Sequence, residues 1–351
     1  MEVTGHMPNQ DAPRSRSASI WDVARVAGVS QQTVSRVING KARVSEETRV
    51  KVLQVIEEMG YRPNKLARAL AGGPVRSVTV LTSDTSLYGA AATLRGMEEA
   101  ARTAGFSVGI SVLEPGSGQR DVAERLNRPG EAVMVIAFDA AGVRALGALP
   151  PDVPVAAAVE RRPDIETKNP WQVWLDDRAA AAHATRYLLS LGHPTVHYLA
   201  IPSSTSELPQ RTQGWMDALR AAERPVPEPL HGGWSPRSGY LAVRDLVADP
   251  SVTAILCGND DLALGVMRAA REAGRDIPGD LSVVGFDDSP PAAYLNPSLT
   301  TVRLDFQGLG RACFNLLHRR LDPHTAPAVP AWSEPELIVR ESSGPAPRST
   351  G

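Results

Sequence analysis

The chain has 351 residues, of which 42% are hydrophobic and 22% are charged, and its formal net charge at pH 7 is −2. A chain of this length and composition can bury sizeable cores, and two or three domains are expected. No apolar run approaches the roughly twenty residues that a membrane span requires, and the polar start MEVTGHMPNQDAPRSRSAS excludes a secretory signal. We therefore predict a cytoplasmic protein with no membrane partner, in which residues 1–18 form a disordered tail.

The first patterned stretch, from Ile20 to Ile38, predicts a helix-turn-helix. Apolar residues at helical spacing lie on two short segments, and Gly28 between them supplies the tight turn. Ser30 is expected to cap a second helix beginning at Gln31, because a serine oxygen can accept from free amides at a helix start. A third helix, from a cap at Ser45, closes a three-helix core. Its predicted core residues are Val50, Val52, Leu53, Ile56 and Met59.

The exposed tip of the second helix is the predicted nucleic-acid contact. In helix-turn-helix proteins this tip meets base edges in the major groove, and glutamine suits the paired donor and acceptor of adenine. Arg36, one turn further on, can reach guanine or phosphate. Basic residues outnumber acidic ones in this stretch, although the net charge of the whole chain hides the excess. Backbone phosphate is therefore an expected partner.

The run DVARVAGVSQQTVSRVINGKARVSEETRVKVLQVIEEMGYRPNKLARALAGG resembles the DNA-binding headpiece and hinge of the LacI/GalR family of bacterial transcriptional regulators. Residues 64–71 would form a helix of about two turns, which is too short to be stable alone. The resemblance implies that two such hinge helices of a dimer pack over the operator centre, where a leucine from each enters the minor groove. An ordinary linker leucine is the alternative. The predicted DNA-binding residues are Gln31, Gln32, Thr33, Ser35, Arg36, Asn39, Asn64 and Leu70.

Beyond the hinge, short apolar runs alternate with amphipathic helices, and the same topology starts again near Trp171. This rhythm predicts two doubly wound subdomains with parallel sheets and a ligand cleft between facing strand ends. The resemblance is strongest in TAILCGNDDLALGVMRAAREAGRDIPGDLSVVGFDDSP and LTTVRLDFQGLG, and it implies a core like that of the periplasmic sugar-binding proteins. It also implies three crossings between subdomains, near Trp174, 301–306 and Pro335.

The predicted fold is thus an all-α helix-turn-helix headpiece and hinge helix followed by an α/β core. The predicted boundaries are 19–62 for the helix-turn-helix, 63–74 for the hinge helix, 75–342 for the core and 343–351 for a disordered tail. Within the core, the N-subdomain takes about 75–174 and 304–334, and the C-subdomain takes about 175–303 and 335–342.

Polar residues at strand ends are the first candidates for effector binding. Arg211 opens a helix after a strand-end loop, and its planar five-donor fork suits adjacent sugar hydroxyls; the family uses an arginine there. A solvated surface arginine is the alternative. After the strand TAILCG, Asn259 is the preferred ligand candidate, whereas Asp260 is either a ligand or only a helix cap. Asp287 ends the strand LSVVGF, where its carboxylate can accept from two hydroxyls, and Asp288 shapes the turn.

Aromatic and apolar residues complete the predicted effector site. Trp234 can stack on the C–H face of a pyranose, with a core or surface tryptophan as the alternative. Phe306 lies in the crossover stretch and can close the pocket, while Leu87, Tyr88 and Gly89 match the family's first-lobe rim. The predicted effector-binding residues are Leu87, Tyr88, Arg211, Trp234, Asn259, Asp287 and Phe306.

The chain also departs from the pattern of a characterised family member. Val159, followed by Glu160, stands where that member has an aspartate, and Leu304 stands where it has a glutamine, so the sugar need not be the same. The end SSGPAPRSTG has no heptads, which predicts a homodimer and not a tetramer. His193 is interpreted as a turn residue. The two cysteines, Cys257 and Cys313, are predicted to be buried thiols.

No catalytic, phosphate-loop or metal-binding motif is found, and we predict no enzyme activity, no cofactor and no metal site. The interpretation is a sugar-responsive transcriptional regulator, expected to be a repressor, with pseudo-palindromic double-stranded operator DNA and a small saccharide as partners. The alternatives are a sugar-binding receptor and a sugar-processing enzyme without operator function. The basic helix-turn-helix argues against a receptor, and turnover of oligosaccharides would favour an enzyme.

Overall fold

The computed structural model describes residues 18–38, 44–61, 77–114, 132–160, 171–202, 208–322, 324 and 333–348. By its internal contacts the chain divides into two compact units, residues 1–75 and 76–351. The predicted hinge helix at 63–74, with Asn64 and Leu70, lies outside the described residues, as do Asn39 and almost all of the predicted N-terminal tail.

The first unit contains the predicted helix-turn-helix. Its helices are α1 (Ile20–Ala27), α2 (Gln31–Ile38) and α3 (Glu46–Glu58). Gly28 ends α1 with φ 67°, a left-handed conformation that glycine adopts without strain. The Ser30 hydroxyl accepts from the Thr33 amide at 3.1 Å and so caps α2, as predicted. Ser45 caps α3 in the same way, accepting from the Thr48 amide at 3.4 Å. Local capping therefore defines both helix starts.

The core of this unit corrects part of the prediction for α3. Val52 is fully buried, but Val50 and Leu53 are 57% and 49% exposed, and Val55 takes a buried position that was not predicted. Val52, Val55, Ile56 and Met59 recur at spacings of three and four residues and so share one face of the helix. Val50 and Leu53 lie off that face. They were wrongly assigned because apolar character was counted without its helical phase.

The first sheet of the second unit is wholly parallel. Its strands are β1 (Ser77–Thr82), β2 (Ser107–Val112), β3 (Ala132–Ala137), β4 (Val155–Val159) and β5 (Gln172–Val173), in the order β2-β1-β3-β4-β5. Helix α4 (Tyr88–Thr103) follows β1 and helix α5 (Ala140–Ala148) follows β3. Every residue of β3 is buried, which is expected of a central parallel strand covered on both faces.

The second sheet has the order β11-β10-β9-β8-β6-β7 and is parallel except for the β10–β11 pair. This arrangement confirms the predicted α/β core of two parallel-sheet subdomains. Its strands are β6 (His197–Ala200), β7 (Leu230–His231), β8 (Ala254–Cys257), β9 (Ser282–Asp287), β10 (Thr300–Arg303) and β11 (Glu336–Ile338). The helices are α6 (Asp177–Ser190), α7 (Gln210–Ala221), α8 (Pro236–Val243), α9 (Asp260–Glu272) and α10 (Phe306–Leu321), with short 3₁₀ turns at Leu246–Ala248 and Pro290–Tyr294.

Helix α10 returns the chain from the second sheet to the first subdomain, where it packs on α4. Glycines allow the two helices to approach closely. A Cβ atom at Gly96 would collide with the Gln307 carbonyl oxygen, and one at Gly310 would collide with the Thr93 carbonyl oxygen. The chain then re-enters the second sheet as β11. These glycines therefore hold α10 against α4 within the first subdomain, through close backbone contacts that a larger side chain would prevent.

The C-terminal segment contacts a buried histidine. His193, predicted as a turn residue, directly follows the turn at 191–192 and is 1% exposed. Its Nε2 lies 3.1 Å from the carbonyl oxygen of Gly344, and the Ala346 amide donates to the Leu191 carbonyl at 2.9 Å. The predicted disordered tail at 343–351 is therefore wrong for the part that the structure describes. A polar segment without heptads still docks here, because its backbone groups satisfy a buried imidazole and a helix end.

Cys257 and Cys313 are both fully buried thiols, as predicted. Within the described ranges, no helix is long and apolar enough to cross a membrane.

Candidate functional site

The exposed face of α2 carries the predicted base contacts. Val34 and Val37 are buried against the other helices, which turns the opposite face outward. On that face Gln32 and Arg36 are exposed, and Gln31, Thr33 and Ser35 are partly exposed. These five residues therefore lie together on one short helix, while Asn39, Asn64 and Leu70 fall outside the described residues.

The second unit contains a cleft between its two sheets. It is lined by residues that follow the carboxyl ends of strands in both sheets, together with the starts of several helices. The cleft encloses about 940 Å³ of empty space, counting the part that is open to solvent. A cleft between the strand ends of facing α/β subdomains is a common place for a small-ligand site.

All seven predicted effector-binding residues line this one cleft. They come from distant parts of the chain and meet because the carboxyl ends of parallel strands share an edge of each sheet. They are Leu87, Tyr88, Arg211, Trp234, Asn259, Asp287 and Phe306. Their contact with a ligand stays a prediction.

Aromatic rings form one wall of the cleft. The ring of Phe306, the first residue of α10, lies edge-on to that of Tyr88 with centroids 6.1 Å apart. Phe138 also packs against Phe306, with ring centroids 6.1 Å apart. Gly89 permits this arrangement, since a Cβ atom there would stand 2.9 Å from the Phe306 ring. Trp234, partly buried, lines the cleft from the other subdomain. Such rings offer apolar faces to a ligand with C–H groups.

The guanidinium of Arg211 is the charged centre of the cleft, and it is 7% exposed. Its Nε donates to Asp177 Oδ2 at 2.9 Å, its Nη1 donates to the carbonyl oxygen of Gly258, and its Nη2 lies 3.6 Å from Asp287 Oδ1. Burial acts to lower the pKa of Arg211, but the two carboxylates outweigh it and raise that pKa above its usual value. Arg211 therefore stays cationic, and one edge of its fork is already occupied by the protein.

Asp287 offers a buried acceptor to the cleft. Among the described residues, its Oδ1 atom has no hydrogen-bond partner. Burial raises the pKa of Asp287 well above its ordinary value, although Arg211 acts in the opposite direction. Its backbone has φ 106°, an unusual conformation for a residue other than glycine. A strained backbone and a buried oxygen without a hydrogen-bond partner are features that often mark a binding site.

The roles predicted for Asn259 and Asp260 are partly exchanged. Asn259 is the helix cap, because its Oδ1 accepts from the Leu262 amide at 2.8 Å. Asp260 is buried instead and accepts from Thr301 Oγ1 at 2.6 Å and from the Ser289 amide at 2.7 Å. Burial raises the pKa of Asp260 to about 6. Asn259 still lines the cleft, and its Nδ2 donates to the Trp234 carbonyl oxygen at 3.4 Å, which leaves its second N–H for a ligand.

Two family models match the chain. The model described as "Bacterial regulatory proteins, lacI family" matches residues 19–64, and the model described as "Periplasmic binding protein-like domain" matches residues 185–343. The regulator GalR of Escherichia coli strain K12 is 32% identical over 330 residues, which cover 93% of this chain and 95% of that protein. The chain belongs to the LacI family.

Other relatives and solved structures agree with this LacI-family assignment. Catabolite control protein A of Priestia megaterium is 33% identical over 323 residues, covering 88% of this chain and 94% of that protein. The crystal structure of a Lac repressor dimer bound to operator and the anti-inducer ONPF matches with a TM-score of 0.76 and 28% identity, covering 94% of this chain and all of that one. A complex of the transcriptional regulator CelR with cellobiose matches with a TM-score of 0.66.

These LacI-family relatives are described as regulators and not as enzymes. Membership in the LacI family supports one part of the predicted function: the chain is a bacterial regulatory protein with a DNA-binding headpiece. Within the described residues, no group of three or more His, Cys, Asp or Glu side chains is arranged to hold a metal ion.

Sequence reasoning missed several residues of the LacI-family cleft. Asp177 is the most important, because it is the closest carboxylate partner of Arg211. The acid pair at the start of α6, in the run LDDR, was a usable signal for it. Phe138 was also missed, although it ends a strand just as the predicted ligands do. The further polar lining residues that carried no prediction are Thr82, Ser83, Asp84, Asp139, Asp261 and Ser289.

Proposed function

We propose that this LacI-family chain is a cytoplasmic, homodimeric repressor of carbohydrate-utilisation genes, whose operator affinity is changed by a saccharide bound in the cleft. The observation that carries the proposal is the union of two sites in one chain. One is an exposed helix tip bearing Gln32 and Arg36, and the other is a cleft that joins aromatic rings to buried polar groups.

The DNA half of the proposal rests on α2. Gln31 and Gln32 would read adenine in the major groove, Thr33, Ser35 and Arg36 would add base or phosphate contacts, and two headpieces would read a pseudo-palindromic operator. The operator named for the Lac repressor dimer is support by analogy. Asn39, Asn64 and Leu70 complete the proposed surface, with Leu70 as the minor-groove wedge.

The effector half rests on the composition of the cleft. Trp234, Tyr88 and Phe306 provide faces for pyranose rings, and the free edge of Arg211 with Asp287 and Asn259 provides donors and acceptors for hydroxyls. Leu87 adds apolar contact at the rim. Cellobiose, which is named in the CelR structure, is a neutral saccharide, and it supports this class of ligand by analogy.

The two halves are connected through the subdomain arrangement. A saccharide can shift operator affinity only if it binds one arrangement of the subdomains better than the other. The residue range predicted as the hinge helix, 63–74, joins the headpiece to the core. We propose that the change is transmitted there, because a helix of that length is marginal by itself.

The test is operator binding by fluorescence anisotropy. Full-length protein is used to select duplexes from fragments of its own genome, and affinity for the selected site is measured with and without a panel of mono- and disaccharides. Gln32→Ala should weaken binding about 5- to 150-fold, from 1–3 kcal/mol per base contact. Gln54→Ala, an exposed glutamine on α3, is the matched control and should leave affinity unchanged.

A second pair of variants separates the effector half from the DNA half. Arg211→Ala should abolish the saccharide response while operator binding persists. Leu70→Ala should weaken operator binding while saccharide binding stays intact. Failure to select any specific duplex would refute the proposal. A selected duplex whose affinity no saccharide changes would leave a DNA-binding protein and refute the effector half.

A further inference from the structure

Carboxylates dominate the walls of the cleft. Among its described lining residues, seven are acidic and one, Arg211, is basic. The acidic residues are Asp84, Asp139, Glu160, Asp177, Asp260, Asp261 and Asp287. Even with Asp260 and Asp287 protonated, the acids outnumber the single guanidinium. The field inside the cleft therefore favours neutral or cationic ligands over anions.

The one cation among these lining residues is already neutralised by the protein. Arg211 lies between two carboxylates, at 2.9 Å from Asp177 Oδ2 and 3.6 Å from Asp287 Oδ1, and its Nη1 donates to the Gly258 carbonyl. Arginine binds phosphate well when its planar fork can present two parallel N–H donors. Here a phosphate group would have to approach the fork past Asp287. Among the described lining residues, therefore, no cation is left free for a phosphorylated ligand.

Two of the helix starts around the cleft already hold a side-chain cap. Exposed amides at a helix N-terminus are a common phosphate site. In this cleft, side-chain oxygens of Asp139 and Asn259 accept from amides at the starts of α5 and α9, both at 2.8 Å. Helices α4 and α7 have no side-chain cap, but the carboxylate of Asp84, which accepts from the Leu87 amide at 3.0 Å, lies just before α4. The negative charges of Asp84 and Asp139 beside two of these helix starts would repel a phosphate.

The same groups suit an uncharged saccharide. Carboxylates accept hydrogen bonds from hydroxyl donors, and the rings of Tyr88, Phe138, Trp234 and Phe306 offer faces to sugar C–H groups. We propose that the cleft selects unphosphorylated saccharides and rejects their phosphate esters. This inference rests on the proposed function, because it names the class of effector for that same site.

The expected discrimination is large. A sugar phosphate brings a dianion among several carboxylates in a partly desolvated cleft, so its Kd should exceed that of the parent sugar by at least about 100-fold. Removing one carboxylate charge from the cleft wall should lower this ratio of the two Kd values. Asp261 lines the cleft on the first turn of α9, and Asp261→Asn should lower the ratio roughly fivefold. Asp217→Asn, on α7 and outside the cleft, should leave it unchanged.

The experiment uses the full-length chain at pH 7.5. Thermal shift followed by isothermal titration compares cellobiose, maltose, lactose, sucrose and trehalose, each with its 6-phosphate or 6′-phosphate. Binding of a free disaccharide with at least 100-fold weaker binding of its phosphate, and a narrower ratio in Asp261→Asn, supports the inference. A phosphate ester that binds as tightly as its parent overturns the inference and leaves the saccharide-responsive regulator standing. If no compound of either class binds, the inference and the effector half of the proposed function both fail.

Discussion

Two arginine–aspartate bridges join helices α6 and α7 in nearly the same way and differ in burial. Arg211 Nε lies 2.9 Å from Asp177 Oδ2, and both side chains are 8% exposed. Arg178 Nε lies 2.9 Å from Asp217 Oδ2, but those side chains are 54% and 43% exposed. Comparing the two bridges therefore tests how burial changes the contribution of an arginine–aspartate pair to stability.

Removing the buried carboxylate should cost far more than removing the exposed one. Asp177→Ala leaves a buried guanidinium without its closest counter-charge, and breaking such a pair typically costs about 3–5 kcal/mol. Asp287 remains 3.6 Å from the same guanidinium, so the lower end, about 3 kcal/mol, is expected. Asp217→Ala should cost less than about 1 kcal/mol, because an exposed pair is screened by water and salt. The cap of α6 is kept in both variants, since it belongs to Asp176.

The assay is equilibrium unfolding in urea, followed by tryptophan fluorescence. Trp215, fully buried on α7 and stacked on Tyr198 with centroids 5.4 Å apart, reports on this region. A shift in the urea midpoint without a change in slope would measure the lost stability. If Asp177→Ala and Asp217→Ala lowered the free energy of unfolding by amounts within 1 kcal/mol of each other, the assignment of Asp177 as the buried counter-ion of Arg211 would be refuted.

Three further predictions test other parts of the core. Burial raises the pKa of Asp260 from 3.8 to about 6, so the folded chain holds this proton more tightly than the unfolded chain, and stability should fall by up to about 3 kcal/mol as pH rises from 4 to 6. Asp260→Asn should lack this decline. If the urea midpoints of Asp260→Asn and of the unaltered chain changed with pH in the same way across that range, Asp260 would not be the cause of the decline. Gly310→Ala should cost about 1–3 kcal/mol because its Cβ meets the backbone of α4, whereas Gly147→Ala, in open space on α5, should be neutral or stabilising; equal melting temperatures would count against the close contact. A chain ending after Glu341 lacks the docked C-terminal segment and should lose roughly 2–4 kcal/mol of stability, whereas a chain ending after Arg348 should lose none. Equal melting temperatures of these two chains by calorimetry would show that the segment does not stabilise the fold.

The sequence was sufficient to predict features that depend on residues close along the chain or on one rule of sheet topology. The caps at Ser30 and Ser45 bind amides three residues on, and the turn at Gly28 needs only that residue's own backbone freedom. The alternation of strands and helices predicted parallel sheets. Because parallel strands end at a common edge, it was also possible to predict that residues as distant as Tyr88 and Asp287 would line one cleft.

Only the tertiary structure decided which groups are partners across the sequence. The fork of Arg211 is shared with Asp177 and Gly258, which are 34 and 47 residues away along the chain, and His193 meets Gly344 across 151 residues. A cap or turn is encoded within three or four residues, so its signal survives in the order of the letters. The partner of a buried charge is set by which helices the core brings side by side, and that juxtaposition is a property of the packed chain and not of any local pattern.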